Sequence, residues 1–251
     1  MSSPTADAAD AAAAAEPVLI LVAMAEEAAP LIARLEGADE LTTPFTAGVL
    51  ATRGVLAGVD AVVVTTGIGI AAASAAATWA ILATSPSLVV SAGSCGGLAA
   101  DVEVGTLIVG ETFTYSIADA TAFGYAPGQV PGGPELHTAP AGWVDAAEQA
   151  ALRADRQGRG VRRGLMLSGD AFVTAEIAAP MRERFPAALS ADMETTASAR
   201  TAEALGVPFV ALRAVSDLCG PAAGQQFHLE LDVVAETSAA AVEQLLGGRA
   251  R

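Results

Sequence analysis

The sequence predicts one α/β domain, and three observations carry that prediction. Apolar runs typical of strands buried on both faces alternate with helical stretches at least six times, without an internal repeat. Hydrophobic residues make up 53% of the 251 positions and charged residues 16%, which is ample for one core. Proline and glycine are spread along the chain instead of marking a linker. We therefore expect a single domain over residues 17–251.

The composition excludes several classes of function. A formal net charge of −15 argues against a nucleic-acid surface, which needs a basic stripe. All 13 basic residues are Arg, and the absence of Lys excludes a phosphate-binding Walker lysine, a Schiff-base lysine and a Ser-Lys dyad. Two Cys and two His are too few and too scattered for a zinc site. We expect neither a metal nor a cofactor.

Residues 1–16 differ from the rest of the chain. They are rich in Ala, Ser and Asp and lack both a charged start and a long apolar core, so they do not form a signal peptide. We expect a disordered acidic tail there. No apolar run of about 18 residues free of turn signals occurs, so we expect no membrane span. The low cysteine content fits a reducing cytoplasm.

The first half of the chain alternates strands and helices. Pro17–Ala23 predicts a buried strand that leads into a helix with Glu26 and Glu27 in its first turn, where carboxylates favour the positive end of the helix dipole. Two further strands are expected over 48–55 and 58–66. The second ends at Gly67-Ile-Gly69, which opens an Ala-rich helix over 70–84. Two glycines at such a turn let the backbone approach a ligand, although the signal is weak.

A second glycine-rich segment follows the strand Ser87–Ser91. Ala92–Gly97 contains three glycines, which permit close backbone approach to a ligand or, alternatively, form a tight turn. Later strands are expected over 105–110, with an extension over 111–118 as the alternative, and over 161–168. Helices are expected over 141–157 and 224–246. Residues 119–134 form a long loop with aromatic residues and prolines, and such loops in compact domains are usually functional or disordered.

Acidic side chains fall at the carboxyl ends of two expected strands. Asp192 and Glu194 follow one strand, and Asp217 ends the strand Pro208–Val215 that contains Arg213. Ligands bind at this edge of open α/β sheets, and a carboxylate beside apolar segments is costly unless it is paired or used. Each acid alone could merely cap the helix that follows. Three of them with an arginine favour a functional site.

Seven motifs follow one another between Val18 and Leu246: Ala23–Glu27, Gly67–Gly69, Gly93–Gly97, Thr121–Tyr125, Ser168–Phe172, Asp192–Glu194 and Arg213–Asp217. In this order they resemble the 5′-methylthioadenosine/S-adenosylhomocysteine nucleosidases of the nucleoside phosphorylase superfamily. Each motif alone is modest, but seven in register are specific. The resemblance implies a three-layer sandwich with a central mixed, mostly parallel sheet flanked by helices. It also implies release of adenine from 5′-methylthioadenosine, S-adenosylhomocysteine or a related 5′-modified adenosine.

The resemblance assigns catalytic roles that suit this chemistry. Breaking the N-glycosidic bond needs an acid that protonates adenine at N7 and a base that assists the attacking water, as in inverting glycoside hydrolysis. By similarity, Asp217 is the acid and Glu27 is the base or the group that positions the water. Ser94 and Arg213 would help to place the water, and Ser216 would support Asp217.

Substrate-binding roles follow from the same resemblance. Glu194 would hold the ribose hydroxyls, with Met193 under the sugar. Phe172 would stack on the base, and the backbone of Val173 would read its edge. The remaining expected binding positions are Ile68, Ala92, Gly96 and Asp192.

The same resemblance implies a role for the long loop over residues 119–134. In the family, the loop matching Phe123, Tyr125 and Pro131 reaches into the neighbouring subunit and covers the 5′ substituent. A homodimer is therefore implied. The alternative is that these side chains only pin the loop to its own subunit.

Several departures from the family pattern leave the substrate and the reaction open. Asp192 stands where Glu is common, Cys95 replaces a smaller residue, segment 219–224 is altered, and Leu231 stands where an aromatic lid residue is expected. Purine nucleoside phosphorylases share the Gly-Ser-Cys-Gly string but have an Arg for phosphate where this chain has Ser91, which favours hydrolysis. The sequence also admits a futalosine-type nucleosidase and a non-catalytic nucleoside-binding domain on the same fold.

Overall fold

The computed structural model describes residues 16–248, so the tail expected over residues 1–16 lies outside the described residues except for Glu16. The elements in chain order are β1 (Val18–Val22), α1 (Ala25–Ile32), β2 (Glu36–Leu41), β3 (Leu50–Leu56), β4 (Val59–Thr65), α2 (Ile70–Thr84), β5 (Leu88–Gly97), β6 (Leu107–Tyr115), a 3₁₀ turn (Thr121–Phe123), β7 (His137–Thr138), α3 (Ala141–Ala154), β8 (Val161–Ser168), α4 (Ala175–Arg184), β9 (Ala188–Asp192), α5 (Thr195–Ala204), β10 (Phe209–Asp217) and α6 (Ala223–Gly247).

One mixed sheet forms the middle layer, as expected. Its strand order is β10-β6-β8-β9-β5-β1-β4-β3-β2, and β7 pairs with β6. Strands β4, β1, β5 and β10 run parallel to one another, whereas β6 is antiparallel to β10 and β9 is antiparallel to the end of β5. Because β10 also pairs with β5, the strands β5, β9, β8, β6 and β10 close into a ring. This closure brings the ends of β5, β9 and β10 together.

Helices cover the sheet in two groups and complete the three layers. Helices α1 and α3 both pack on α6, and α2 packs on α5. The buried face of α2 consists largely of alanines, which let the two helices approach closely: Ala73, Ala76, Ala77 and Ala80. Every residue of β1 is buried, as its continuous apolar run predicts for a strand covered on both faces. No helix within residues 16–248 is both long enough and apolar enough to cross a membrane.

Four local features differ from the expectations. Strand β5 does not end at Ser91 but continues to Gly97, because its glycines allow β10 and β9 to pair along both of its edges. Strand β2 was not predicted, since its charged residues show no apolar alternation and its side chains are mostly exposed at the sheet edge. Helix α4 was also not predicted, and it contains Pro180. Helix α3 ends at Ala154 instead of residue 157.

Candidate active site

A cavity of about 280 Å³ lies where the ends of β5, β9 and β10 meet. Twelve of the sixteen predicted site residues line it: Glu27, Ile68, Ser94, Gly96, Phe172, Val173, Asp192, Met193, Glu194, Arg213, Ser216 and Asp217. The wall also includes residues that sequence reasoning did not single out as site residues: Ala23, Met24, Cys95, Ala171, Ala191, Cys219 and Phe227. The acids expected at strand ends therefore lie in one cavity, although the residues of its wall come from most of the chain.

Glu27 faces the cavity from the first turn of α1 and is buried. Its Oε1 accepts hydrogen bonds from the amide of Ser94 at 2.7 Å and from the Ser94 hydroxyl at 2.8 Å. Its Oε2 accepts from the amides of Ala23 at 2.8 Å and Met24 at 3.2 Å. The helix-dipole interpretation alone does not explain a carboxylate that bridges α1 and β5.

Gly93 makes this bridge possible. Its φ is +116°, and a Cβ at this position would collide with the Glu27 carboxylate. The Gly93 amide also donates to the Ser238 hydroxyl of α6 at 2.9 Å. The backbone of this glycine-rich segment therefore lies close to the Glu27 carboxylate, and its expected approach to a ligand stays a prediction.

Arg213 lies fully buried between the acidic residues. Its Nη1 donates to the Ser94 carbonyl at 2.7 Å, and its Nη2 and Nε donate to the Ser91 hydroxyl at 3.1 and 3.3 Å. The Nε also lies 3.8 Å from Asp192 Oδ2, and Nη2 lies 3.6 Å from Glu194 Oε2. Burial lowers the pKa of Arg213, but the nearby carboxylates outweigh burial and raise it.

Asp192 lies two residues before Glu194, the N-cap residue of α5, and its side chain accepts hydrogen bonds from the first amides of that helix. Its Oδ1 accepts from the amides of Glu194 and Thr195, both at 2.9 Å, and from the Ser168 hydroxyl at 2.7 Å. Its Oδ2 has no hydrogen-bond partner among the described residues and faces Arg213. Asp192 therefore orders the start of α5 and adds negative charge beside the arginine.

Glu194 connects α5 to the glycine turn before α2. Its Oε1 accepts from the Gly69 amide at 2.9 Å, while the neighbouring Ile70 amide donates to Asp170 at 2.7 Å. Burial is the main cause that raises the pKa of Glu194 to about 7, with Asp192 and Glu27 adding to the rise and Arg213 and the Gly69 amide opposing it. A carboxyl with a pKa of about 7 is present in both protonation states near pH 7, so it can either donate or accept a hydrogen bond.

Asp217 ends β10 and is also buried. Its Oδ2 accepts from the Ser216 hydroxyl at 3.0 Å, and its Oδ1 accepts from the Cys219 amide at 3.0 Å. Burial raises the pKa of Asp217, while hydrogen bonds from Cys219 and Ser216 oppose the rise. This carboxyl therefore retains its proton to higher pH than a solvated aspartate does.

Two phenylalanines form an aromatic wall. Phe172, which is 42% exposed, packs edge to face on Phe227 of α6 with 5.7 Å between ring centroids. The expectation that Leu231 stands at the aromatic lid position needs correction, because the aromatic residue of α6 that lines the cavity is Phe227. Phe227 lies one turn before Leu231 in α6, and nothing local in the sequence marked it as a site residue.

The remaining four predicted residues lie elsewhere. Ala92 is fully buried inside β5 and does not line the cavity, because its side chain packs in the core. Phe123, Tyr125 and Pro131 belong to the loop between β6 and β7, also outside the cavity wall. Phe123 is 83% exposed. Within the described residues, no group of three or more His, Cys, Asp or Glu side chains is arranged to hold a metal.

Comparison with known proteins matches this architecture to one family. The family model of the phosphorylase superfamily matches residues 17–247. The 5′-methylthioadenosine/S-adenosylhomocysteine nucleosidase of Geobacillus kaustophilus is 38% identical over 228 residues, covering 90% of this chain and 95% of the relative. The chain belongs to this nucleosidase family of the phosphorylase superfamily.

Solved structures agree with that membership. The nucleosidase of the same name from Neisseria meningitidis, in complex with methylthio-immucillin-A, superposes with a TM-score of 0.88 at 34% identity, covering 93% of this chain and 99% of the other. The Colwellia psychrerythraea nucleosidase in complex with adenine gives a TM-score of 0.87 at 34% identity, covering 93% and 95%. The resemblance based on seven motifs and the expected fold class are both confirmed.

Proposed function

We propose that the chain hydrolyses the N-glycosidic bond of 5′-methylthioadenosine and S-adenosylhomocysteine and releases adenine. The observation that carries the proposal is one cavity lined by Glu27, Glu194 and Asp217, in a chain 38% identical to a nucleosidase with these substrates in its name. A protein that only binds a nucleoside needs neither a proton donor for the base nor a carboxylate for water. Water and the protein's own side chains supply the whole reaction.

Asp217 acts as the general acid. Its raised pKa keeps the carboxyl protonated closer to neutral pH, and the proton passes to N7 of adenine as the bond to the sugar breaks. Adenine then leaves as a neutral molecule. Ser216 and the Cys219 amide hold the carboxylate that remains.

Glu27 acts as the base for the attacking water. Four donors already face its two oxygens, and the Ser94 hydroxyl is the one that rotation about a single bond can turn away. Water that takes this place donates to Glu27 Oε1 and attacks the anomeric carbon. Its proton passes to Glu27, and the sugar leaves with a hydroxyl group at that carbon.

Glu194 and Met193 bind the ribose. Glu194 accepts or donates at the sugar hydroxyls, which its pKa of about 7 allows near neutral pH. The developing positive charge on the sugar is stabilised by the surrounding carboxylates, and buried Arg213 keeps those carboxylates at fixed positions. Phe172 and Phe227 offer apolar faces to the purine or the 5′ substituent.

Water, and not phosphate, is the nucleophile in this proposal. Ser91 occupies the position at which the phosphorylases carry a phosphate-binding arginine, and its hydroxyl is buried against Arg213 and Thr195. The residues that line the cavity include a single arginine, Arg213, and it is engaged by carboxylates and by Ser94. An added phosphate dianion would be repelled by the acidic wall.

The proposal also includes that the chain forms a homodimer and that it acts in the cytoplasm. The loop carrying Phe123, Tyr125 and Pro131 leaves Phe123 exposed, which suits a side chain that covers the 5′ end of a substrate bound in a second copy. Both cysteines are free, as expected in a reducing compartment.

The test is adenine release from 5′-methylthioadenosine in phosphate-free buffer, repeated with phosphate. We expect adenine and a reducing sugar at the same rate in both. Activity only with phosphate, yielding a sugar 1-phosphate, would establish a phosphorylase. No release in either buffer would contradict the enzyme proposal, and futalosine would then be assayed with the same readout.

A further inference from the structure

Arg182, in the last turn of α4, is a charged residue that the proposed reaction does not use. Its guanidinium donates to three backbone carbonyls: Nε to Leu98 at 2.8 Å, and Nη2 to Leu218 at 3.1 Å and to Gly97 at 3.4 Å. Gly97 ends β5, and Leu218 directly follows Asp217. Arg182 thereby ties together the ends of the two strands that frame the acid, although it does not line the cavity.

The contact with Leu218 reaches Asp217 through a single peptide unit. The carbonyl of Leu218 and the amide of Cys219 belong to the same planar group. Its carbonyl end accepts from Arg182 at 3.1 Å, and its N–H end donates to Asp217 Oδ1 at 3.0 Å. Hydrogen bonds in such a chain polarise one another, so a cation on the carbonyl strengthens the N–H donor.

The backbone at Cys219 explains why this peptide unit needs an anchor. Cys219 has a φ of +52°, in the left-handed region that is unfavourable for a residue with a Cβ. Rotation of the Leu218–Cys219 peptide unit would bring this φ to a favourable negative value and turn the N–H away from Asp217. Such a rotation would also remove the Leu218 carbonyl from Arg182.

The other two contacts hold Arg182 itself in place. Gly97 and Leu98 lie beside Gly96, whose Cα is so close to the acid that an added Cβ would be 3.3 Å from Asp217 Oδ1. The guanidinium is therefore fixed to the same wall that the acid faces. Its planar array of donors suits several carbonyls at once, which the single ammonium of lysine does not.

We propose that Arg182 is a positioning residue for Asp217, acting through the Leu218–Cys219 peptide unit. This inference rests on the proposed function, in which Asp217 protonates the leaving adenine. Arg182 holds the donor that fixes the orientation of the acid, and it favours the ionised carboxylate that remains after proton transfer.

The test compares the wild type with Arg182→Met, Arg182→Lys and the control Arg153→Met. Arg153 is an exposed arginine in the last turn of α3, so its replacement also removes one positive charge from a helix end. For each protein, kcat and KM for adenine release from 5′-methylthioadenosine are measured from about pH 5 to 10, together with the melting temperature.

We expect kcat of Arg182→Met to fall about 10- to 100-fold, as for a misplaced catalytic group, with KM little changed. The basic limb of the kcat–pH profile should move to higher pH. The hydrogen bond from the Cys219 amide lowers the pKa of Asp217, so weakening this bond raises that pKa further. Arg182→Lys should lie between the wild type and Arg182→Met, and Arg153→Met should match the wild type.

The basic limb is a readout that a merely structural role would not move. The other charged or titratable groups near Asp217 are the thiols of Cys95 and Cys219, whose pKa values burial raises, and Arg182 itself; Glu27, Asp192, Glu194 and Arg213 share the cavity. Arg182 also lowers the pKa of the Cys219 thiol, so its removal moves that pKa further above the assayed range, and a difference in the limb within that range reports on the acid.

Each outcome decides the proposal. A lower kcat with an unmoved limb, or values equal to those of Arg153→Met, would overturn the inference and leave the proposed function intact. An inactive wild type would overturn the proposed function and the inference with it. If Arg182→Met does not fold, Arg182→Lys decides, and wild-type kcat and limb in that variant would overturn the inference.

Discussion

At the residue scale, the hydrogen-bond donors around Glu27 and Asp217 differ, and this difference supports the different roles proposed for the two acids. Glu27 accepts four hydrogen bonds through its two oxygens, which suits its proposed role as the group that receives a proton from water. Asp217 accepts from the Ser216 hydroxyl and the Cys219 amide, and burial raises its pKa. Environments that differ in this way let similar side chains act as base and acid in one site.

Replacing Asp217 by Asn tests the acid. Asparagine has nearly the same shape but no proton to give to N7, so kcat should fall by about 10²- to 10⁴-fold while the melting temperature stays close to wild type. The control is Asp60→Asn, which removes an aspartate that pairs with Arg53 away from the cavity. A near-normal kcat in Asp217→Asn would contradict the assignment of Asp217 as the general acid.

The raised pKa of Glu194 predicts that the free energy of unfolding depends on pH. Burial raises its pKa from 4.5 to about 7, so between these values the folded chain holds a proton that the unfolded chain has released. The free energy of unfolding therefore falls as pH rises through this window, by up to about 1.4 kcal/mol per pH unit, and this contribution levels off above pH 7.

The measurement is urea unfolding of the wild type and Glu194→Gln across this window. The glutamine variant cannot titrate, so the difference in unfolding free energy between the two proteins should change with pH and then become constant. A difference that is the same at every pH would show that Glu194 has no raised pKa in the folded chain.

At the scale of elements, β5 joins both halves of the site through its glycines. It pairs with β1, β10 and β9, and its glycine-rich end passes between Glu27 on one side and Asp217 and Cys219 on the other. Side chains at these positions would occupy the space of Glu27, Asp217 and Cys219. The segment is a strand because its polar backbone groups pair with neighbouring strands.

Gly93→Ala tests this role of β5. The added methyl would overlap the Glu27 carboxylate, and the positive φ adds backbone strain, so kcat/KM should fall at least about 10-fold even where the protein folds. Gly160→Ala is the control, because Gly160 also has a positive φ but no atom lies within 4 Å of its added Cβ. Equal activity losses in both variants would assign the effect to backbone strain alone.

At the scale of the whole molecule, large apolar side chains remain exposed at the cavity and in the long loop. Ile68 and Phe172 line the cavity and are 56% and 42% exposed, and Phe123 in the loop is 83% exposed. Water-exposed aromatic and aliphatic side chains of this kind favour association with another surface. A second copy of the chain is the partner that the loop and the family resemblance both favour.

Phe123→Ala tests the dimer. Sedimentation velocity should find wild-type dimers at micromolar concentration, and the variant should dissociate at higher concentration because it loses buried aromatic area. KM for 5′-methylthioadenosine should rise if the loop covers the substrate. Leu152→Ala, which removes a 55% exposed leucine from α3, is the control for a general effect of surface hydrophobicity. A wild type that sediments as a monomer would contradict the proposal.

The sequence by itself determined the fold class, most elements and most of the cavity. Continuous apolar runs are enough to predict buried parallel strands, and helix α2 and strand β8 have the expected bounds. Exceptions are segments with weak local patterns, such as edge strand β2 and Pro-containing α4. The acids at strand ends were found because the carboxyl edge of a sheet is set by topology.

Only the tertiary structure decided which groups touch. Phe227 reaches the cavity, Ala92 faces the core, and Asp192 accepts a hydrogen bond from the first residue of α5, although nothing local in the sequence separates these outcomes. Arg182 meets Leu218 across 36 residues of chain, so its link to Asp217 exists only after β5 and β10 have paired. Periodicity acts over neighbouring residues, whereas hydrogen bonds and pKa shifts depend on atoms that folding brings within a few ångströms.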